Sequence, residues 1–304
     1  MINRRTCLRR CLPGAALLAA PSALSARAET KADDADGRKN STVKPQVKGD
    51  NGVGETFHLG MAGYTFVKFD IDRTLAFMKK IDVHYLCIKA FHLPLSADES
   101  QIASFKAKLA AHDVVGYAVG PIYMKDAAAV DQAFAYARRV GVNLIVGVPG
   151  VWGDKVPRMD VLERVEQKVR ETDIRYAIHL HGPDMSLYPD ATSIWNDIRD
   201  RDPRLGICLD IGHNLRYGAD SIRDLKRYAK RVFDIHLKDV TAATKAGHAV
   251  ELGRGIIDFH RFVKMLRKVG YSGSVSLEYE KDMTDPFLGI AESVGYFKAV
   301  MDDR

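Results

Sequence analysis

Residues 205–213 read Leu205-Gly206-Ile207-Cys208-Leu209-Asp210-Ile211-Gly212-His213, an apolar run that ends in an acid and a histidine. The flanking segments repeat the design. Ile178-His179-Leu180-His181-Gly182 precedes it, and Asp234-Ile235-His236-Leu237-Lys238-Asp239 and Leu277-Glu278-Tyr279-Glu280 follow. Side chains two apart on a strand share a face, so His179 aligns with His181, His236 with Lys238 and Glu278 with Glu280. Four consecutive runs thus carry polar groups at their carboxyl ends.

Working outward, β-rich runs occur at Phe57–Ala62, Val83–Lys89, Val114–Val119, Asn143–Val148, Arg175–His181, Leu205–Ile211, Val232–Leu237 and Ser274–Glu280. Helical patterns lie between them at Asp72–Ile81, Gln101–His112, Ala127–Val140, Met159–Glu171, Ser221–Lys230 and Phe259–Val269, with a last one near Phe287–Met301. Val140-Gly141 and Val269-Gly270 supply helix-terminating glycines. Strand starts recur at roughly thirty residues, the length of a βα unit with its crossover helix. Eight such units in about 250 residues predict an α/β fold, a single-domain (β/α)8 TIM barrel spanning 56–304. An open doubly wound sheet is the competing architecture, but no Gly-x-Gly-x-x-Gly follows the first strand, and Gly253-Arg254-Gly255 is too short to replace it.

Barrel active sites are built at the carboxyl ends of the strands. His, Asp and Glu on four neighbouring strand ends are nitrogen and oxygen donors suited to a divalent metal. Tyr64, Phe66, Phe91 and Trp152 fall near strand-end loops and are the candidate aromatic platforms for a sugar.

The chain has 304 residues and a formal charge of +6, with 46% hydrophobic residues. Residues 1–28 hold five arginines and no acid, which leaves 40 bases against 39 acids in the remainder. A nearly neutral body argues against an electrostatic nucleic-acid binder. No apolar run reaches the roughly 18–20 residues of a membrane span.

Arg4-Arg5 precedes the apolar stretch Gly14–Leu24, and Ala26-Arg27-Ala28 offers small residues for cleavage after Ala28. This layout is that of an export signal, and the arginine pair resembles the twin-arginine class. The expectation is a periplasmic protein. Residues 29–55 lack aromatics, Leu and Ile, and read as a flexible leader. With the signal removed, Cys87 and Cys208 remain, too few for a disulfide framework.

Residues 57–302 resemble the xylose isomerase-like TIM barrels, the superfamily of sugar phosphate isomerases and epimerases, ketose 3-epimerases, inosose dehydratases and AP endonucleases. Leu209-Asp210-Ile211-Gly212-His213, His236-Leu237-Lys238-Asp239, Gly253-Arg254-Gly255-Ile256-Ile257-Asp258 and Ser276-Leu277-Glu278-Tyr279 carry the resemblance. Epimerase-like members hold one metal with Glu, Asp, His and Glu from strands five to eight. Asp210, His236 and Glu278 match, and His179 stands where the first Glu is expected. His179, Asp210, His236 and Glu278 are therefore the expected ligands. With two carboxylates instead of three, the set shifts preference toward zinc, cobalt or manganese.

The resemblance implies proton removal alpha to a sugar carbonyl, with His181 as general base. Lys238 and His213 would contact substrate oxygens, and Glu280 would orient Lys238 or act as a second base. Arg254, Trp152 and His248 are further substrate-contact candidates, and Thr241–Glu251 is a candidate lid. The expected activity is a metal-dependent sugar isomerase or epimerase. Elimination of a beta leaving group, giving a lyase on keto sugars or 3-keto-glycosides, is the second reading. A non-catalytic exported sugar-binding protein is the third. An endonuclease-like three-metal site fits poorly, because Val114–Val119 has no His and Ala246 occupies the place of an Asp. His84 and His92 read as structural. The family often dimerises, so a homodimer is an expectation without a legible surface.

Overall fold

Apolar runs of this kind bury both faces only when helices cover the sheet, and the chain folds accordingly. The computed structural model describes residues 57–303; the expected signal at 1–28 and the expected leader at 29–55 lie outside the described residues. Strands β1 (His58–Ala62), β2 (Tyr85–Ile88), β3 (Val115–Tyr123), β4 (Leu144–Val148), β5 (Arg175–His179), β6 (Leu205–Asp210), β7 (Val232–Leu237) and β10 (Ser274–Leu277) close into one barrel. Every pairing around it is parallel. Two short strands, β8 (Asp239–Val240) and β9 (Ala249–Val250), form a separate antiparallel ribbon. The expected (β/α)8 barrel is the fold.

The outer ring comprises α1 (Ile71–Lys80), α2 (Glu99–Ala111), α3 (Ala127–Val140), α4 (Met159–Glu171), α5 (Ala191–Ile198), α6 (Ile211–Arg216), α7 (Ser221–Tyr228), α8 (Phe259–Val269) and α9 (Phe287–Asp302). Asp70, Asp98, Asp126, Asp190, Asp210, Asp220 and Asp258 each cap a helix by accepting a backbone N–H. One such cap contributes about 1 kcal/mol. Gly141 and Gly270 terminate α3 and α8 in the left-handed conformation, as their positions predict.

Among the differences from the sequence reading, three boundaries move a functional residue. β3 continues past Val119 to Tyr123, because the register shift between Val119 and Ile122 absorbs Gly120-Pro121 as an irregularity instead of a turn. Gly120 has φ +133°, and a Cβ there would lie 2.0 Å from the Val146 carbonyl oxygen, so glycine is required. β5 ends at His179, leaving His181 on the following loop. β10 ends at Leu277, so Glu278 and Glu280 follow the strand. Helices α5 and α6 are additions; α6 starts directly after Asp210, inside the run that reads as strand.

Candidate metal and acid–base centre

The β6–β7 register sets Asp210 opposite His236, and the β7–β10 register sets His236 opposite Ser276. Glu278 lies just beyond, its N–H donating to the Leu237 carbonyl at 2.9 Å. One ligating atom each from His179, Asp210, His236 and Glu278 falls within 4.8 Å of the others, and all four side chains are buried. The tertiary structure brings the four expected ligands together.

Asp210 serves two purposes. Its Oδ1 accepts the His213 N–H at 2.7 Å, capping α6, which fixes the carboxylate plane. Its Oδ2 is buried without a hydrogen bond; the Lys238 ammonium stands 3.1 Å away but out of line. The ammonium already supplies a cation to this buried oxygen, so a metal at the site would share Asp210 with Lys238. Gly212 permits the arrangement, since a Cβ there would meet Lys238 Cβ at 2.8 Å. The spacing Asp210-Ile211-Gly212-His213 is thus that of a capped helical turn aimed at the site.

His179 Nε2 and His236 Nδ1 lie 2.9 Å apart, and Glu278 Oε2 is 3.3 Å from His236 Nδ1 and 3.9 Å from His179 Nε2. These atoms converge on one point, as ligands of a shared ion do. The other nitrogen of His236, Nε2, faces the fully buried Asp234 carboxylate at 3.5 Å. Tyr117 Oη is 3.1 and 3.2 Å from the two oxygens of Asp234 and 2.7 Å from Ser276 Oγ. A carboxylate behind a metal-binding histidine sets its tautomer, a role the sequence reading missed for Asp234. Cys87 and Cys208 are free, buried thiols in the same barrel layers.

Above the four ligands opens a cavity of about 550 Å³ lined by Tyr64, Lys89, Pro121, Tyr123, Trp152, His181, Asp184, His213, Glu278 and Glu280. Lys238 is buried behind two of these lining residues, 2.8 Å from Glu280 and 3.2 Å from Glu278. Glu280 and Lys238 thus form an ion pair. His213 turns Nδ1 to the Gly182 carbonyl at 3.2 Å. His181 packs between Trp152 and His179, with ring centroids 5.9 and 4.1 Å away. Trp152 is 60% exposed at the mouth, where an unburied indole offers a face to a ligand.

Other candidates lie elsewhere. Arg254 is exposed and pairs with Glu292, away from the cavity. His248 is exposed on the β8–β9 ribbon beside Thr241, outside the cavity lining. Phe66 is fully buried in the core, and Phe91 lies against His92 outside the cavity lining. His84 binds Asp82 and the Asp113 carbonyl oxygen, while His92 binds the Phe69 carbonyl oxygen. The glycines of Gly253-Arg254-Gly255 are architectural: Asp239 accepts the N–H groups of Gly253, Gly255 and Ile257 at 2.9, 2.9 and 3.2 Å. Lys89 and Tyr123 are cavity residues that the sequence reading missed.

Burial drives the protonation states. It pushes His179 and His213 well below the usual imidazole range and His181 to about 3. Burial also opposes charge on His236, but the Cys208 sulfur, Glu278 and Asp234 outweigh it and push that imidazole well above its usual range. Burial raises Asp210 to about 6, with Lys238 opposing. These shifts contribute to the acid stability of the metal-free protein. On falling below pH 6.5, the unfolded chain protonates all four histidines. The folded chain keeps three neutral, has His236 already charged, and gains one proton at Asp210 near pH 6. The unfolded state then binds more protons, so stability is lost as pH drops. The thermal midpoint of metal-free protein is expected to fall between pH 6.5 and 4.5, and His181→Gln to flatten that slope. An unchanged slope in the variant would show that His181 is not held neutral by the fold.

A family model for the xylose isomerase-like TIM barrel matches residues 61–300, and the chain belongs to that family. Among curated relatives, an inosose dehydratase of Lacticaseibacillus casei is 26% identical over 159 residues, 46% of this chain and 53% of the relative. The L-ribulose-5-phosphate 3-epimerase UlaE of Escherichia coli is 29% identical over 131 residues, 41% of this chain and 37% of the relative. The chain thus spans about half or less of the length of these relatives. A crystal structure of the IolI protein with a bound zinc atom shares the fold at TM-score 0.64 and 18% identity, covering 81% of this chain and 97% of that one.

Proposed function

We propose that the protein is a metal-dependent enzyme that removes a proton alpha to the carbonyl of an unphosphorylated sugar or sugar derivative, acting as an isomerase or epimerase. The observation that carries this reading is the convergence of His179, Asp210, His236 and Glu278 directly beneath a cavity bearing acid–base groups. The four residues fit a divalent ion by donor type and mutual distance. Such an ion, zinc, cobalt or manganese, supplies Lewis-acid polarisation of the carbonyl.

The chain's own groups account for the remainder. Glu280 lines the cavity and is the carboxylate placed to take the proton. Lys238, held by Glu280, donates to a substrate oxygen and stabilises negative charge there. His213 lies at the cavity wall, and Trp152 and Tyr64 flank a sugar ring. Lys89, Asp184, Glu278 and Glu280 are the charged groups that line this cavity. Lys89 is itself committed to the Pro121 carbonyl at 2.8 Å.

The same carbanion expels a beta leaving group where one is present. A relative named as a dehydratase keeps that lyase outcome as the second reading. The test is deuterium exchange: zinc-, cobalt- or manganese-loaded protein is incubated in heavy water with free keto sugars and 3-keto-glycosides. Deuterium is expected alpha to the carbonyl of at least one sugar and should vanish with chelator. Recovered epimer supports isomerisation, and an unsaturated product supports elimination. Absence of exchange across the panel would leave the protein as a sugar-binding barrel.

A further inference from the structure

The histidine at position 179 has a consequence for the residue two places on. His179 Nδ1 and His181 Nδ1 are 3.2 Å apart, and His181 Nε2 is 3.1 Å from Tyr123 Oη. Each ring nitrogen of a neutral imidazole is either a donor or an acceptor, so one assignment along this row determines the next. His179 directs Nε2 into the ligand cluster, where that nitrogen must present a lone pair to an ion. Its proton is then on Nδ1, which donates to His181 Nδ1. His181 consequently carries its own proton on Nε2 and donates to Tyr123 Oη. Tyr123, with burial as the leading cause and Glu278 adding to it, is pushed upward and keeps its hydroxyl hydrogen, free to turn into the cavity.

We infer that His179, when it ligates, locks His181 as a donor to Tyr123 and leaves the Tyr123 hydroxyl hydrogen as the donor for a substrate oxygen, so that His181 is not the general base. The assignment rests on the metal reading of the site and reverses the role the sequence resemblance implies for His181. A carboxylate at 179 would accept from His181 Nδ1 and leave Nε2 as a lone pair facing the cavity. The His-Leu-His sequence inverts that polarity. No proton is transferred in this role: Tyr123 O–H, polarised by the His181 N–H behind it, stabilises negative charge on the substrate while the proton goes to another group.

The test reads tautomers directly and needs no substrate. Long-range proton–nitrogen NMR spectra of zinc-loaded protein with labelled histidines are expected to show His181 protonated at Nε2. His179→Glu, in zinc-loaded form, is expected to move that proton to Nδ1. Tyr123→Phe is expected to leave the tautomer of His181 unchanged, because His179 sets it. A zinc-loaded wild type with His181 protonated at Nδ1 overturns the inference, even where Asp210→Ala shows that zinc occupies the four-ligand site. A wild type that takes up no zinc overturns both the inference and the metal reading on which it rests.

Discussion

Asp210→Ala protein is expected to take up no stoichiometric zinc and to lose about a thousandfold or more in the deuterium-exchange assay. The estimate follows from losing roughly 4 kcal/mol of charge stabilisation at the reacting carbonyl. Asp210 is also the cap of α6 through Oδ1, so alanine costs about 1 kcal/mol of stability as well. Asp210→Asn separates the two effects: the amide oxygen still accepts the His213 N–H, but the anionic charge beneath the cavity is gone. Both variants should lose zinc, and the asparagine variant should melt close to the wild type. Full zinc content with undiminished exchange in either would remove the proposed mechanism.

Glu280→Gln should reduce exchange by about 10²–10⁴-fold, the range expected when a positioned general base is removed. Glutamine keeps the shape and still contacts Lys238, which stands 2.8 Å from the native carboxylate. The variant leaves the Lys238 ammonium more dependent on Asp210 and Glu278, 3.1 and 3.2 Å away. Zinc content must therefore be measured alongside turnover. Retained zinc with lost exchange identifies Glu280 as the base. A loss of less than about tenfold places the base elsewhere.

The division of labour among the cavity groups follows from charge and burial together. Four histidines crowd one site, with His179 and His181 ring centroids 4.1 Å apart and His179 and His236 4.7 Å apart. Such packing disfavours several imidazolium charges at once, and neutral rings are what metal ligation and ordered tautomers require. His236 is the exception because two carboxylates flank it, Glu278 on the ligand side and Asp234 on the inner side. An incoming dication would displace the proton on Nδ1 and leave the one facing Asp234.

Much of this was legible in the residues alone. Thirty-residue spacing of apolar runs determines eight βα units, and the two-residue strand period predicts which side chains share a face. Asp210, His236 and Glu278 stand at strand ends where barrels place chemistry, and they converge as expected. The glycines after α3 and α8 are local signals, readable because helix termination depends on a few adjacent residues. What resisted reading depends on contacts between distant segments. Tyr123 reaches the cavity because β3 runs through Gly120-Pro121, which local chemistry marks as a stop and which pairing with β4 overrides. Asp234 looks like an ordinary strand residue until Tyr117 and His236 close around it from other strands. Arg254 and His248 sit near the motifs in sequence, yet the β8–β9 ribbon and Glu292 hold them away from the cavity. Element type and face arise from short-range sterics and periodicity, so the chain itself determined them. The direction of each hydrogen bond at the centre depends on which nitrogens meet across the barrel, and only the closed tertiary structure decides that.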